Sequence, residues 1–159
     1  MCSSDLVMKT RAEGLGINLV VADLCGNIAQ IFNDQTCGVL AQYPTTYGAV
    51  KDWRPLIDAA HKAGALVVMA TDLLALTLLT PPGELGADVA IGSAQRFGVP
   101  MGFGGPHAAF IATRSEYVRK MPGRIIGISK DSQGDRALRM AIRSEEHTSE
   151  LQSPCNLVC

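Results

Sequence analysis

GSAQRFGVPMGFGGPH, residues 92–107, is the stretch whose reading decides the fold. Five glycines and two prolines fall in its sixteen residues, around Gln95, Arg96, Phe97 and His107. Glycine reaches positive φ and lets other groups approach the backbone closely. Proline fixes φ and gives up its N–H. So dense a mixture specifies a shaped loop. Val89 to Ile91 before it and Ala108 to Ala112 after it read as short buried strands. Loops that follow strands are where α/β proteins build sites. A packing turn that needs its glycines is the plainer alternative that spacing alone leaves open.

Outward from this loop, strand-like runs alternate with helical ones. Ile17 to Ala22, Gly38 to Gln42 and Leu66 to Ala70 are apolar with little alternation, as in strands covered on both faces. Between the second and third lies the clearest helix. Asp52 is placed to cap it, and Trp53, Leu56, Ile57 and Ala60 fall on one face. Pro55 suits the first turn, Lys62 the last, and Gly64 the left-handed position after it. Further helices are expected over Leu73–Leu79 behind an Asp72 cap, over Ser115–Met121 and over Asp135–Ile142. The alternation predicts an α/β fold with a mostly parallel sheet and flanking helices.

The two ends read as foreign. Arg143 to His147 is encoded by AGATCGGAAGAGCA plus one base, and Cys2 to Leu6 by its reverse complement, TGCTCTTCCGATCT, plus one base. The string resembles a common sequencing-library adapter, whose continuation matches Thr148 to Ser153. We therefore expect residues 1–6 and 143–159 to be adapter-derived tails and residues 7–142 to be one fragment of a domain, with neither end natural. Such tails are expected to pack loosely. Only Cys25 and Cys37 then remain, without metal-ligand spacing, so a disulfide framework is excluded and a reducing cytoplasm is the expectation. Thirteen basic and eleven acidic residues remain, too balanced for nucleic acid or an anionic membrane surface. Ala65 to Leu79 is apolar but interrupted by Asp72 and short for a bilayer span.

Each polar group in or near the loop has two readings. Gly102, Gly104 and Gly105 bring together N–H groups that suit an anion, but neither a P-loop nor a dinucleotide fingerprint is present. His107 is a general acid, a stacking partner or a hydrogen-bonded structural residue. Arg96 clamps a carboxylate or phosphate, or pairs with a nearby acid. Tyr47, in PTTYG, faces a pocket or sits in a plain turn. A stand-alone anion-binding module built on the Gly-rich loop is one functional reading.

The other comes from a resemblance. GVLAQYPTTYG, the run from AAHKAGALVVMATD through GSAQRFGVPMGFGGPH to AAFIATR, and MPGRIIGISKDSQGDRALRMAI together resemble the P-protein of the glycine cleavage system, glycine dehydrogenase (decarboxylating). The resemblance covers almost all of residues 7–142. It implies part of the large domain of a fold-type-I pyridoxal-phosphate enzyme. The parent would be an oxidoreductase of glycine catabolism that decarboxylates glycine on pyridoxal phosphate and passes the aminomethyl group to the lipoyl arm of the H-protein. It would work as a dimer or heterotetramer of two related halves, fused or separate. This segment resembles the N-terminal half. There Gln95 stands where the C-terminal catalytic half carries its Schiff-base lysine, and Met69 where that half carries the acid facing the pyridine nitrogen, with Asp72 a few residues displaced. Pyridoxal chemistry needs that lysine. The resemblance therefore implies a degenerate copy, inactive and binding no cofactor alone. In it Gln95, Arg96, Phe97, Gly102, Gly104, Gly105, His107 and Tyr47 are pocket or interface residues.

Overall fold

A computed structural model of the chain describes residues 3–24, 26, 31–100, 102, 107–121 and 125–141. Helix α1 spans Ser3–Gly14, followed by strand β1, Gly38–Tyr43, and helix α2, Arg54–Lys62. Strand β2, Leu66–Thr71, leads through a 3-10 turn at Ala75–Thr77 into the short helix α3, Pro82–Leu85. Strand β3, Val89–Ser93, is followed by a 3-10 turn at Gln95–Phe97 and strand β4, Ala109–Thr113. A 3-10 stretch at Ser115–Lys120 precedes strands β5, Ile125–Lys130, and β6, Arg136–Ala141.

The main sheet has the order β1-β2-β3-β4. β1, β2 and β3 run parallel, with Tyr43 opposite Thr71 and Thr71 opposite Gly92. β4 closes the sheet antiparallel to β3, Phe110 facing Gly92. The expected mostly parallel α/β sheet is thus present. Parallel neighbours require crossovers, and α2 and α3 supply them.

α2 forms where the sequence places it. Trp53, Leu56, Ile57 and Ala60 are all buried, against Ala41 and Tyr43 of β1 and Val67 and Met69 of β2 in one apolar core. Leu56 and Ile57 are 1% and 2% exposed, so each side chain contributes about 1.5–3 kcal/mol of burial. Trp53 rather than Asp52 is the capping residue, but the Asp52 carboxylate accepts the Arg54 N–H and does the capping chemistry. Gly64 takes φ +76°, as a helix stop requires.

Four expectations are corrected. Ile17 to Ala22 forms no strand. Ile17, Val20 and Val21 are exposed, and among the described residues no strand pairs with the run. The helix expected over 73–79 shrinks to the single turn at Ala75–Thr77, and that over 115–121 is 3-10. Asp72 does cap its turn, accepting the Leu74 N–H at 3.1 Å.

Where a helix is expected over 135–142, Arg136–Ala141 form strand β6, and Ile142 lies outside the described residues. Asp131 organises a hairpin turn, its carboxylate accepting the N–H groups of Gln133 and Asp135, with Gly134 at φ +90°. β6 then pairs antiparallel with β5, Ile128 opposite Leu138. The helix-favouring run Ala-Leu-Arg-Met yields to that pairing, since intrinsic propensity is worth only tenths of a kcal/mol per residue. Residues 3–6 lie in the first turn of α1, and Leu6 is exposed.

Candidate functional site

The parallel strands direct their carboxyl ends to one edge of the sheet, where open α/β folds bind ligands. β1 leads to Tyr47, β2 to Asp72, and β3 to Ser93, Gln95 and Arg96. The loop after β3 returns at His107, and its neck is closed by the Ala94 N–H donating to the Ala108 carbonyl at 2.7 Å.

Gln95 is the centre of this edge. Its backbone N–H donates to Ser93 Oγ at 3.2 Å, which fixes the turn leaving β3. Its side-chain Oε1 lies 3.3 Å from His107 Nδ1, placed to accept that ring N–H. The Gln95 Nε2 atom is buried without a hydrogen-bond partner among the described residues. The hydroxyl of Thr71, at the end of β2, is also buried and unpartnered. His107 and Gln95 are thus brought together across the neck of the loop.

Arg96 takes the ion-pair reading. Its Nη1 bonds the Asp72 Oδ2, tying the turn after β3 to the turn after β2. Both partners are substantially exposed, so the pair fixes geometry more than it stabilises. Phe97 is exposed on the next residue and Gly98 takes φ +115° to end the turn. Tyr47 is 97% exposed at the tip of a turn held by the Gly48 N–H donating to the Thr45 carbonyl at 2.8 Å. Gly102 is exposed, and an added Cβ would meet nothing within 4 Å. Gly104 and Gly105 lie outside the described residues, and with them most of the expected anion cradle.

The opposite edge holds a network that sequence reasoning missed. Asp88, 3% exposed, opens towards β3. Its Oδ2 accepts the Val67 N–H and the His61 Nε2–H, each at 2.8 Å. Arg114 Nη1 stands 3.4 Å from the other oxygen, and Arg114 Nη2 donates to the Gly86 carbonyl. Burial pushes the Asp88 carboxyl up, but the Val67 N–H, His61 and Arg114 together outweigh it and hold its pKa below the ordinary value. No signal marks this cluster in the sequence, because His61, Val67 and Arg114 each lie more than twenty residues from Asp88.

Among the described residues no helix is long and apolar enough to cross a membrane, and no group of three His, Cys, Asp or Glu residues suits a metal ion.

The comparisons fit this geometry. The sequence pattern that defines the family "Glycine cleavage system P-protein" matches residues 2–156, a span that runs through both end segments. Glycine dehydrogenase (decarboxylating) 2 of Pseudomonas fluorescens strain Pf-5 is 55% identical over 153 residues, 96% of this chain and 16% of that protein. Glycine dehydrogenase (decarboxylating) of Synechocystis is 54% identical over the same length, 15% of that protein. In solved structures, glycine decarboxylase (P-protein) of the glycine cleavage system, in inhibitor-bound form, superposes with TM-score 0.77 at 37% identity. That match covers 87% of this chain and 32% of the other. Cystathionine gamma-lyase from Lactobacillus plantarum superposes with TM-score 0.60 at 14% identity over 74% of this chain and 31% of the other, which speaks for the fold alone.

The architecture is part of the large domain of the fold-type-I pyridoxal-phosphate enzymes. The chain belongs to the glycine cleavage system P-protein family. It spans about one sixth of the length of the curated relatives it matches.

Pyridoxal phosphate does not fit the residues described at this edge. Its chemistry requires a lysine amine within bonding reach. The position after β3 is a carboxamide, Gln95. Lys9 lies on α1, Lys51 before α2, Lys62 at its end, Lys120 in the 3-10 stretch after β4 and Lys130 at the end of β5. Met69 is fully buried in the core beneath α2, and Asp72 is committed to Arg96.

Proposed function

We propose that this chain is a segment of the N-terminal, non-lysine half of a glycine-decarboxylating P-protein, and that it supports the catalytic half rather than performing chemistry. The parent would use pyridoxal phosphate, held by a catalytic half that is fused or a separate subunit, and would pass an aminomethyl group to the lipoyl H-protein. The observation that carries the reading is Gln95. It occupies the end of β3 with a carboxamide that hydrogen-bonds His107 and cannot act as an amine. Gln95, Arg96 and His107 would hold the shape of the strand-end loops, with Phe97 and Tyr47 as contact surface for the other half. The alternative of a stand-alone anion-binding module draws no support from the relatives named above, each a glycine dehydrogenase (decarboxylating). We propose also that residues 1–6 and 143–159 are adapter-derived. The complementary coding strings at the two ends support this, and amplifying the parent gene across both junctions tests it.

The test of function is a hybrid enzyme. In the Pseudomonas fluorescens relative the part that matches residues 7–142 is replaced by residues 7–142 of this chain, and glycine-dependent release of CO2 is measured with H-protein present. The reading expects activity within about tenfold of the parent, and activity to survive Gln95→Ala with at most a modest loss. A folded hybrid with no activity would overturn the supporting role. Loss of more than about a thousandfold in Gln95→Ala, the scale of a lost catalytic group, would overturn the non-catalytic one.

A further inference from the structure

Strand β3 does not choose its own register by hydrophobicity. Val89, Ala90 and Ile91 point alternately to the two faces of the sheet, yet all three are apolar and half-buried. A shift by one residue exchanges one apolar side chain for another. Its neighbour β2 does discriminate, with Val67, Met69 and Thr71 buried and Val68 and Ala70 half-buried between them. Something besides the apolar pattern must hold Val68 opposite Val89 and Thr71 opposite Gly92. Gly92 supplies part of it, because a Cβ there would collide with the Thr71 carbonyl oxygen. The rest lies at the amino end. Just ahead of the first paired residues, the Asp88 N–H donates to the Val67 carbonyl at 3.0 Å, and the Val67 N–H donates to Asp88 Oδ2 at 2.8 Å. The carboxylate stands in for a backbone acceptor. Groups from α2 and from the end of β4 grip it there. His61 Nε2 lies 2.8 Å from the same oxygen and Arg114 Nη1 3.4 Å from the other, while Thr113 Oγ1 donates to the Asp88 carbonyl at 2.9 Å. A slip by one residue would bring Ala87 or Val89 opposite Val67, and neither side chain can accept a hydrogen bond. It would also carry a buried carboxylate away from its partners, which is strongly disfavoured.

We propose that Asp88 is a positioning residue for the strand-end site. Its carboxylate fixes β3 in register with β2, and so sets where Gln95 and Arg96 stand relative to Thr71 and Asp72 at the opposite edge of the sheet. Each residue advances a strand by about 3.3 Å. A slip by one would carry Gln95 and Arg96 that far along the end of β2 and turn the side chains of β3 to the other face. Arg96 would part from Asp72, the link that ties the turn after β3 to the turn after β2. The register stands on the geometry of Asp88 alone. That the edge so placed serves a catalytic half rests on the reading given under Proposed function.

The experiment traps register with disulfides in the hybrid enzyme described above. Ala70→Cys with Ile91→Cys joins native partners. Ala90→Cys natively stands opposite Met69, on the other face, and meets Val68→Cys or Ala70→Cys only after a shift by one residue in either direction. Each pair is oxidised mildly, and the linked peptides are followed by mass over time. The proposal expects Asp88→Ala to raise the rate of the shifted links, relative to the native link, at least tenfold. Asp88→Glu keeps the charge but sets the carboxylate one methylene out of place. It is expected to raise the ratio at least threefold, and it carries the test if the Asp88→Ala hybrid does not fold. Leu56→Ala opens a cavity in the core under α2 without touching the register, and should leave the ratio unchanged. An unchanged ratio in the Asp88 variants would overturn the proposal. So would an equal rise in Leu56→Ala, because Asp88 would then act through stability alone. If the unsubstituted hybrid releases no CO2 while the ratio rises as expected, the supporting role falls and the positioning by Asp88 stands. An active hybrid with a flat ratio refutes the positioning alone.

Discussion

Gly92 shows how little room single residues leave at the site edge. A Cβ there would collide with the Thr71 carbonyl oxygen of β2 and come within 2.7 Å of the Phe110 ring on β4. The backbone oxygen cannot rotate away, so β2 and β3 would have to separate. Gly92→Ala is expected to cost about 2–3 kcal/mol, the scale of overpacking in a tight core, read as a lower denaturation midpoint at unchanged slope. At the other edge the sign of a pH effect follows from Asp88. Its pKa in the fold is below the ordinary value near 3.8, so folding favours the ionised form. The stability it contributes is complete above the unfolded value. It is lost as pH falls from about 5 through the lowered folded value. Asp88→Ala should remove about 3 kcal/mol at neutral pH, because the Val67 N–H and Arg114 lose their acceptor. It should also flatten the acid limb of the stability curve, and urea titrations between pH 3 and 7 check both effects.

At the scale of elements, the hairpin marks where local reading stops. Nothing within Arg136–Ala141 distinguishes strand from helix, because Ala, Leu, Arg and Met favour helices and the apolar residues of β5 and β6 meet only across the turn. The signal lay instead in Asp131 and Gly134, which set the turn. Gly134→Ala forces a non-glycine residue to φ +90° and is expected to destabilise the hairpin by about 1 kcal/mol. Hydrogen exchange should show this as faster exchange in β5 and β6 with little change in α2. By contrast α2 was legible from capping, spacing and Gly64, since one amphipathic helix carries its own burial pattern. The run Ile17 to Ala22 was misread for the opposite reason. Its composition suits a strand, but a strand exists only with a neighbour, and pairing is not written in six residues. At the site, Arg96 and His107 were legible as residue types but their partners were not. Asp72 and Gln95 come to them through strand register, 24 and 12 residues away.

For the whole molecule, one sheet face is buried by α2 while the other is only half-covered, with Leu66 exposed and Val68 and Ala70 half-buried. The strands are apolar on both faces, and among the described residues only one face is covered by a helix. Among the described residues β1 and β4 each have a single neighbour in the sheet. Unpaired edges and open apolar surface promote association. The isolated chain is expected to elute in light-scattering chromatography as concentration-dependent aggregates at micromolar concentration, and a cooperative monomer would contradict this. The central claim, that this part of the fold gives shape and not chemistry, is tested most directly by borohydride trapping. Pyridoxal phosphate is added in equimolar amount, the mixture is reduced, and lysine-bearing peptides are mapped by mass. The account predicts scattered, substoichiometric adducts over Lys9, Lys51, Lys62, Lys120 and Lys130, with no visible band of a bound cofactor. One stoichiometric adduct on a single lysine, accompanied by that band, would contradict it.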